Sequence, residues 1–216
     1  MPVDDPSPLL QPWLDALGPG AAEPGRDVLA RYAEPQRRYH DRRHLAEVLA
    51  ALRLLSDGRA PVPVVLAAYF HDAVYDPRGS GNEQRSAVLA EQVLRPLGAP
   101  AGLTTEVVRL VRLTTAHDPA PDDHAGALLC DADLAVLAAD GPRYAAYAAD
   151  VRAEYAHVDD AAFRLGRSAV LRALLERPSL YATATGRARW EARARGNVAQ
   201  ELSRLAVGPD DAAPPP

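Results

Sequence analysis

The segment PVPVVLAAYFHDAVYD, residues 61–76, is an apolar run that ends with a histidine and an aspartate, His71 and Asp72. A run that is apolar on nearly every side is typical of a buried central helix. Burying a carboxylate beside an imidazole costs on the order of several kcal/mol unless a partner compensates for it. A divalent metal ion is such a partner, because it binds the carboxylate as an anion and the imidazole as a neutral donor. The segment therefore predicts a central helix with a metal site at its end.

Helical patterns fill the chain on both sides of this segment. No segment alternates apolar and polar residues with the β-branched enrichment that is typical of a strand. Neither an internal repeat nor a linker divides the chain. We therefore expect an all-α, single-domain helical bundle. The expected helices lie at about 9–17, 26–33, 41–56, 62–74, 82–96, 103–117, 125–138, 142–156, 160–176 and 187–206.

Three residues give clear signals for helix ends. Asp159 precedes a helical pattern and can cap its first turn with the side-chain carboxylate. Gly58 and Gly98 each follow a periodic run, as glycines that terminate helices do.

Length and composition indicate one domain with a tail at each end. The chain has 216 residues, 48% of them hydrophobic, which suffices for one core of good size. Residues 1–8 are rich in proline and aspartate, and residues 208–216 read GPDDAAPPP. We expect a flexible tail at 1–8, a helical domain at 9–207 and a disordered tail at 208–216.

The charge and cysteine content limit the classes of partner and compartment. The net charge of −5 argues against a nucleic-acid polymer, whose binding domains usually carry a basic face. All 24 basic residues are arginine, so any anion site would use planar guanidinium groups, and Schiff-base chemistry on a lysine is excluded. The lone Cys130 and the lack of a signal segment or of an 18-residue apolar run favour a cytoplasmic protein without a membrane anchor.

Two further segments offer metal ligands. His40 and His44 lie four residues apart at the start of one helical pattern, and His44 is at the edge of that helix's apolar stripe. Asp131 and Asp133 interrupt another apolar helix, where their burial also calls for compensation. Two imidazoles and two carboxylates would form a mixed nitrogen and oxygen ligand set, which suits Mn, Fe, Co, Ni or Zn better than Ca.

These segments carry a resemblance to a known family. His44, the FHD of residues 70–72 and the DADL of residues 131–134 resemble the H…HD…D signature of the HD-domain metal-dependent phosphohydrolases. A bacterial subfamily of predicted HD phosphohydrolases is similar over residues 13–205. The segments that carry this wider similarity are RRYHDRRHL, HDAVYD, NEQRSA, DADLAVL, YAADVRAEY and ARGN…EL.

The resemblance implies an HD-type helical bundle and a ligand set of His44, His71, Asp72 and Asp133. It favours His44 over His40, because the apolar stripe begins directly after His44. It likewise favours Asp133 over Asp131, which would then cap a helix or support the site. A divalent ion (Mn, Fe, Co, Ni, Zn or Mg) is the implied cofactor.

The implied activity is hydrolysis of a phosphate ester, such as a nucleotide or another small phosphorylated metabolite, by metal-activated water. Asp72 would be a ligand and a proton acceptor. Glu83 is a candidate general acid, with a favourable charge at a helix start as its structural alternative. His117 ends a helical pattern, and the resemblance places it near the metal. The candidates for holding phosphate are Arg37, Arg38 and Arg85.

Two other functions remain open at this point. A di-iron HD-type oxygenase would need two more histidines, for which His117 and His124 are available. A non-catalytic nucleotide-binding module would not need open metal positions. A separate group lies on one helix and consists of Tyr147, Arg152, Glu154 and Tyr155. It could pack along one helix face or close the pocket, and we favour packing with a structural arginine–glutamate network.

Overall fold

A computed structural model describes residues 8–206, and these residues form ten α-helices and two 3-10 helices with no β-strand among them. The all-α, single-domain prediction is confirmed. The predicted tails at 1–8 and 208–216 lie outside the described residues, except for Pro8. The helices are α1 (Gln11–Leu17), α2 (Ala22–Arg31), α3 (Arg42–Leu55), α4 (Val62–Phe70), α5 (Asn82–Leu94), α6 (Ala101–Leu113), α7 (His124–Asp133), α8 (Gly141–Glu154), α9 (Asp160–Glu176) and α10 (Ala184–Ala206), with 3-10 helices at Pro19–Ala21 and Leu134–Ala138.

Helix α4 lies at the centre of the bundle, in contact with α1, α2, α3, α5, α6 and α7. Six of its nine residues are buried, and the apolar side chains point to all sides of the helix. A helix surrounded by others has no solvent-facing stripe, which explains why its sequence is apolar nearly throughout.

Helix α4 ends at Phe70, four residues earlier than predicted. The ring Nδ1 of His71 donates to the carbonyl of Ala68 at 2.8 Å. A continuing helix would offer that carbonyl to the N–H of Asp72. The next backbone bond instead joins the N–H of Ala73 to Phe70 O at 3.0 Å and spans three residues. The two ligand candidates therefore lie just past the helix, where their side chains can turn toward one point.

The apolar residues form two clusters that share Trp190. The first cluster joins α1 to α7 and contains α4. The second joins the 3-10 helix Leu134–Ala138 to α8, α9 and α10, together with Tyr39. Helices α3 and α7, which carry the other ligand candidates, pack against each other and against α4.

The helix-end signals at Gly58, Gly98 and Asp159 are confirmed. Gly58 and Gly98 follow α3 and α5 with φ of +78° and +74°, a region that favours glycine. Asp159 accepts a hydrogen bond from the N–H of Ala162 at 2.9 Å and caps α9.

Several other helix boundaries differ from the predictions. Helix α2 begins four residues earlier than expected, because Pro24 falls in its first turn, where proline needs no N–H partner. Helix α10 begins three residues early. Helix α6 ends at Leu113 rather than at 117, and His117 adopts a left-handed φ of +49° in the turn that follows. Residues 134–138 continue α7 as a 3-10 helix. None of the described helices is long and apolar enough to cross a lipid bilayer.

Substituting Gly25→Ala should destabilise the fold. An added Cβ would lie 2.7 Å from the ring of Trp13, which is fully buried and donates from Nε1 to Ala21 O at 2.9 Å. Overpacking of this kind costs about 1–3 kcal/mol, more than the ~1 kcal/mol that alanine contributes to helix propensity. The matched control is Gly196→Ala in α10, whose added Cβ meets no atom within 4 Å and should be stabilising. Urea unfolding measures the stability of both variants. An equal gain in unfolding free energy for Gly25→Ala and Gly196→Ala would contradict the close packing of Trp13 against Gly25.

Candidate metal centre

Three helices bring four potential ligands together at one end of the bundle. His44 lies in the first turn of α3, where the Asp41 carboxylate caps the helix by accepting from the N–H groups of Arg43 and His44. His71 and Asp72 directly follow α4, and Asp133 is the last residue of α7. These are the four residues that the sequence favoured.

Their potential ligand atoms all lie within 4.8 Å of one another. The two imidazole Nε2 atoms of His44 and His71 are 3.1 Å apart. Oδ2 of Asp72 lies 3.4 Å from the first and 3.0 Å from the second. Oδ1 of Asp133 lies 3.1 Å from the first and 3.5 Å from the second.

These separations match a shared coordination sphere. Ligand atoms ~2.1 Å from one ion lie about 3.0 Å apart at a right angle and about 3.4 Å apart at a tetrahedral angle. The proton positions agree with this. Nδ1 of His71 must carry the proton that it donates to Ala68 O, so in the neutral ring Nε2 has a free lone pair. Since the facing Nε2 atoms of His44 and His71 are 3.1 Å apart, they cannot both be protonated without repulsion. The cluster can therefore hold a metal ion.

The carboxylates form the open side of the centre. The side chains of Asp72 and Asp133 are 16% and 14% exposed, whereas those of His44 and His71 are 1% exposed. A small molecule would reach this cluster from the carboxylate side.

Helix dipoles also favour a cation here. The centre lies at the C-terminal ends of α4 and α7, where the aligned peptide dipoles of each helix place partial negative charge. The N-terminus of α3 acts in the opposite sense, but the Asp41 cap satisfies two of its N–H groups.

The four groups shift one another's pKa values. Burial by itself lowers the pKa of His71, but the Asp72 and Asp133 carboxylates outweigh burial and hold it well above its ordinary value. Burial likewise lowers the pKa of His44, and hydrogen bonds with the same two carboxylates raise it overall. Burial raises the pKa of Asp72 and of Asp133, but the His71 charge and the neighbouring imidazole contacts hold both well below the usual range. Protons and a metal ion thus compete for the same imidazole nitrogens.

Arg37 is a buried residue that binds the backbone next to the centre. Its side chain is 0% exposed, and its guanidinium donates to the carbonyls of His40, Asp72 and Ala73 and to the Glu34 carboxylate. The sequence-based expectation that Arg37 holds substrate phosphate is therefore corrected. The residue is inaccessible, and its role is to fix the backbone that carries Asp72.

Glu154 is a structural residue whose connections the sequence did not indicate. Its Oε1 accepts from the N–H groups of Arg38, Tyr39 and His40 at 2.8–3.0 Å. Its Oε2 contacts Nδ1 of His40 and the hydroxyl of Tyr75 at 2.7 and 2.8 Å. One carboxylate thus joins the loop before α3 to the loop after α4, and both loops lead to ligands. The available signal was an acidic residue on the core-facing side of α8.

The expected arginine–glutamate network on α8 is not formed as predicted. Arg152 binds Asp160 and the carbonyls of Tyr155 and Val158 instead of Glu154. The carboxylate of Glu154 faces away, toward the ligand loops.

His40 and Asp131, the two alternative ligands, lie outside the cluster. The His40 ring stacks on Tyr75 with centroids 4.0 Å apart and binds Glu154. Asp131 accepts hydrogen bonds from the N–H of Ala182 and from the N–H and hydroxyl of Thr183 at 2.6–2.8 Å. It anchors the start of α10, which corresponds to the capping alternative in the sequence analysis.

His117 adjoins the centre, as the resemblance implied. Its Nε2 lies 2.7 Å from Oδ2 of Asp133, and its side chain is 22% exposed. The guanidinium of Arg177 donates to the carbonyls of Ala116 and His117 at 2.7 and 2.9 Å and holds this turn. The role of Arg177 was not apparent in the sequence.

The remaining predicted residues lie nearer the surface. Arg38 is exposed and precedes Tyr39, and Glu83 is partly buried in the first turn of α5. His124 is exposed at the first position of α7 and does not belong to the cluster. Arg85 donates to Ser80 O and to Oδ1 of Asn82, so it orders the loop before α5.

Comparisons with models of known protein families, with curated proteins and with solved structures gave no match to this chain. The functional assignment therefore depends on the chemistry and geometry of the site.

A pair of matched variants should separate the metal ligand from its structural neighbour. Asp133→Asn should reduce divalent-metal affinity by more than about 100-fold, because even supporting residues around a metal cost 10–100-fold. Asp131→Asn should keep metal binding but lose about 1–3 kcal/mol of stability, because its amide would place a donor against the N–H groups it now accepts from. Calorimetric titration with Mn²⁺ and urea unfolding measure the two effects. Equal metal affinity in the wild type and Asp133→Asn would contradict the ligand assignment.

The stability contributed by Glu154 should depend on pH. Burial raises the pKa of Glu154, but the hydrogen bond and charge of His40 and the backbone N–H groups outweigh it and lower the pKa from 4.5 to about 2. Since the folded-state pKa lies below the unfolded-state value, this stabilisation is complete above pH 4.5 and is lost as the pH falls toward 2. Glu154→Gln should cost about 2–4 kcal/mol at pH 7.

The measurement is urea unfolding of Glu154→Gln and the wild type at pH 7, 4 and 3. The control is Glu176→Gln, an exposed glutamate whose change should stay within about 0.5 kcal/mol. If the difference in unfolding free energy between Glu154→Gln and the wild type did not decrease as the pH falls, the proposed role of the carboxylate would be contradicted.

Proposed function

We propose that the chain is a metal-dependent phosphohydrolase that cleaves a small phosphate ester. One observation carries the proposal: the two imidazole nitrogens lie 3.1 Å apart and each lies 3.0–3.5 Å from both carboxylate oxygens, with the carboxylate side accessible. The sequence resemblance to HD-domain phosphohydrolases supports the same conclusion, because it rests on these four residues.

The donor set selects the class of ion. Two neutral nitrogens and two anionic oxygens suit Mn²⁺, Fe²⁺, Co²⁺, Ni²⁺ or Zn²⁺ and leave positions for water and substrate. Mg²⁺ is a weaker candidate, because it prefers oxygen ligands. A divalent ion bound here would supply an activated water and polarise a phosphoryl oxygen.

The side chains around the centre have distinct proposed roles. Asp72 would hold the ion through its carboxylate, which is partly exposed and would accept a proton from the attacking water. His117, which shares Asp133 and is partly exposed, orients that ligand and can deliver a proton to the departing oxygen. Arg38, exposed in the loop that precedes α3, is the arginine most available to hold phosphate oxygens. Glu83 stays a prediction, because no polar contact joins it to other described residues.

The substrate is proposed to be a small phosphorylated molecule. The net charge of −5 makes a nucleic-acid polymer an unfavourable partner. The negative charge of the Asp72 and Asp133 carboxylates at the open side adds to the repulsion of such a polymer.

Phosphate release should depend on a divalent ion and on Asp72. The chelated protein is reloaded with Mn, Co, Ni, Zn or Mg and assayed against a panel of phosphate monoesters and nucleotides. Asp72→Asn should lose more than about 100-fold of the rate with the best ion, because it removes a metal ligand. Asp27→Asn is the matched control, since Asp27 is exposed on α2.

Release of phosphate by Asp72→Asn at the wild-type rate would refute the proposal. Bound iron with a visible absorption band on exposure to air would favour the di-iron oxygenase instead. Nucleotide binding with every ion but no turnover would favour the non-catalytic module.

A further inference from the structure

A cavity of about 480 Å³ lies between α8 and α9, beside the loop that precedes α3. Its volume falls within the ~300–1,000 Å³ typical of small-molecule sites. We name it the α8–α9 pocket. Its lining residues are Tyr39, His40, Tyr147, Val151, Tyr155, Val158, Ala162, Phe163, Gly166, Arg167 and Val170.

The walls of the α8–α9 pocket are mainly aromatic and aliphatic. Tyr39 and Tyr147 meet edge to face with ring centroids 4.7 Å apart, and Tyr155 and Phe163 lie 6.2 Å apart on another wall. Tyr155 and Phe163 are partly exposed, so their rings present surface that an added flat ring can contact.

The one arginine in the pocket is already neutralised. Arg167 donates to both carboxylate oxygens of Glu201, at 2.8 and 3.1 Å, and to the hydroxyl of Tyr147 at 2.9 Å. Its side chain is 10% exposed. The pocket therefore offers little to an anion or to a sugar, whose hydroxyl groups would lose water without gaining partners.

The pocket shares a wall with the metal centre. The Tyr39 ring lines the pocket and lies 4.7 Å from the ring of the ligand His44. His40 also lines the pocket, with its ring centroid 5.8 Å from that of His44. A group in the pocket is thus separated from a metal ligand by one side chain. A molecule with its ring in the pocket would extend past Tyr39 and His40 to place a phosphate at the carboxylate side.

We propose that the α8–α9 pocket binds a flat aromatic part of the substrate, so that the enzyme acts on phosphate monoesters whose alcohol carries an aromatic ring. The choice of substrate rests on the proposed function, whereas the affinity of the pocket for an aromatic group does not. Two sources share this chemistry, a simple aryl phosphate and a purine nucleotide.

Gly166 allows the pocket to be filled without disturbing the fold. It lines the pocket, and a Cβ added there meets no atom within 4 Å. Gly166→Leu therefore extends a side chain into open space, and Gly166→Ala is a smaller step of the same kind. Gly196→Leu is the matched control, because Gly196 lies in α10, outside the pocket, with equally open space around its Cβ. Both leucine variants should gain helix propensity.

The first measurement needs no turnover. Saturation-transfer NMR with 1-naphthyl phosphate on chelator-treated protein should show transfer to the ring protons in the wild type and in Gly196→Leu. Transfer should be reduced in Gly166→Ala and lost in Gly166→Leu. Equal transfer in Gly166→Leu and the wild type, or none in any variant, would overturn the proposal.

The second measurement uses the metal-loaded enzyme with phenyl phosphate, 1-naphthyl phosphate, a purine nucleoside monophosphate and glycerol phosphate. Gly166→Leu should raise KM for the aromatic esters at least tenfold while kcat/KM for glycerol phosphate stays unchanged. The aromatic ester whose KM rises more in Gly166→Leu shows whether the pocket prefers the ring of an aryl phosphate or that of a purine nucleotide. An equal loss for glycerol phosphate, or a change of molecular mass by light scattering in Gly166→Leu alone, would show a different use of this surface and refute the proposal. Ring binding without phosphate release from any ester would refute the proposed function and leave the pocket assignment intact.

Discussion

The structure depends on the close approach of two imidazoles and two carboxylates inside a helical bundle. His44, His71, Asp72 and Asp133 lie with ligand atoms 3.0–3.5 Å from their neighbours, and each would be costly to bury alone. Together their opposite charges compensate one another, or a divalent cation replaces the imidazole protons. This requirement explains why an apolar central helix ends on a charged pair. The apolar faces of α3 and α7 pack against that helix and bring the other two ligands to its end.

Backbone contacts from buried charged side chains hold the centre in place. Arg37 binds the carbonyls of Asp72 and Ala73, and Glu154 binds three consecutive N–H groups before α3. Loops with few regular hydrogen bonds gain from such charged partners, because each one satisfies several backbone groups at once. The ligand loops are therefore held by two charged side chains. The Arg37 guanidinium binds the backbone at Asp72, and the Glu154 carboxylate binds the backbone at His40.

The candidate ligands could be predicted because their pattern is local, and the family resemblance favoured one histidine and one aspartate of each competing pair. A histidine–aspartate pair at the end of an apolar run, and a histidine at the edge of an apolar stripe, are visible in a single sequence. Arg37 was wrongly assigned to substrate binding, because the sequence pattern around an arginine before a ligand helix does not show whether its side chain faces solvent or the protein interior. The partners of Glu154 lie 79 or more residues away, and no periodicity reports such a contact. The end of α4 was missed because the His71 side chain competes for a backbone carbonyl, which propensity does not show.

By itself the sequence determined the all-α class, the central position of α4 and the residues able to bind a metal, since these follow from hydrophobic period and side-chain chemistry. Which aspartate and which histidine join the cluster is visible in the folded structure alone. The tertiary structure also decided which arginine is buried, and that an aromatic pocket borders the centre through Tyr39. These outcomes depend on how helices distant in the chain are oriented against one another. That orientation is set by packing and by buried hydrogen bonds across the whole core, which no local stretch encodes.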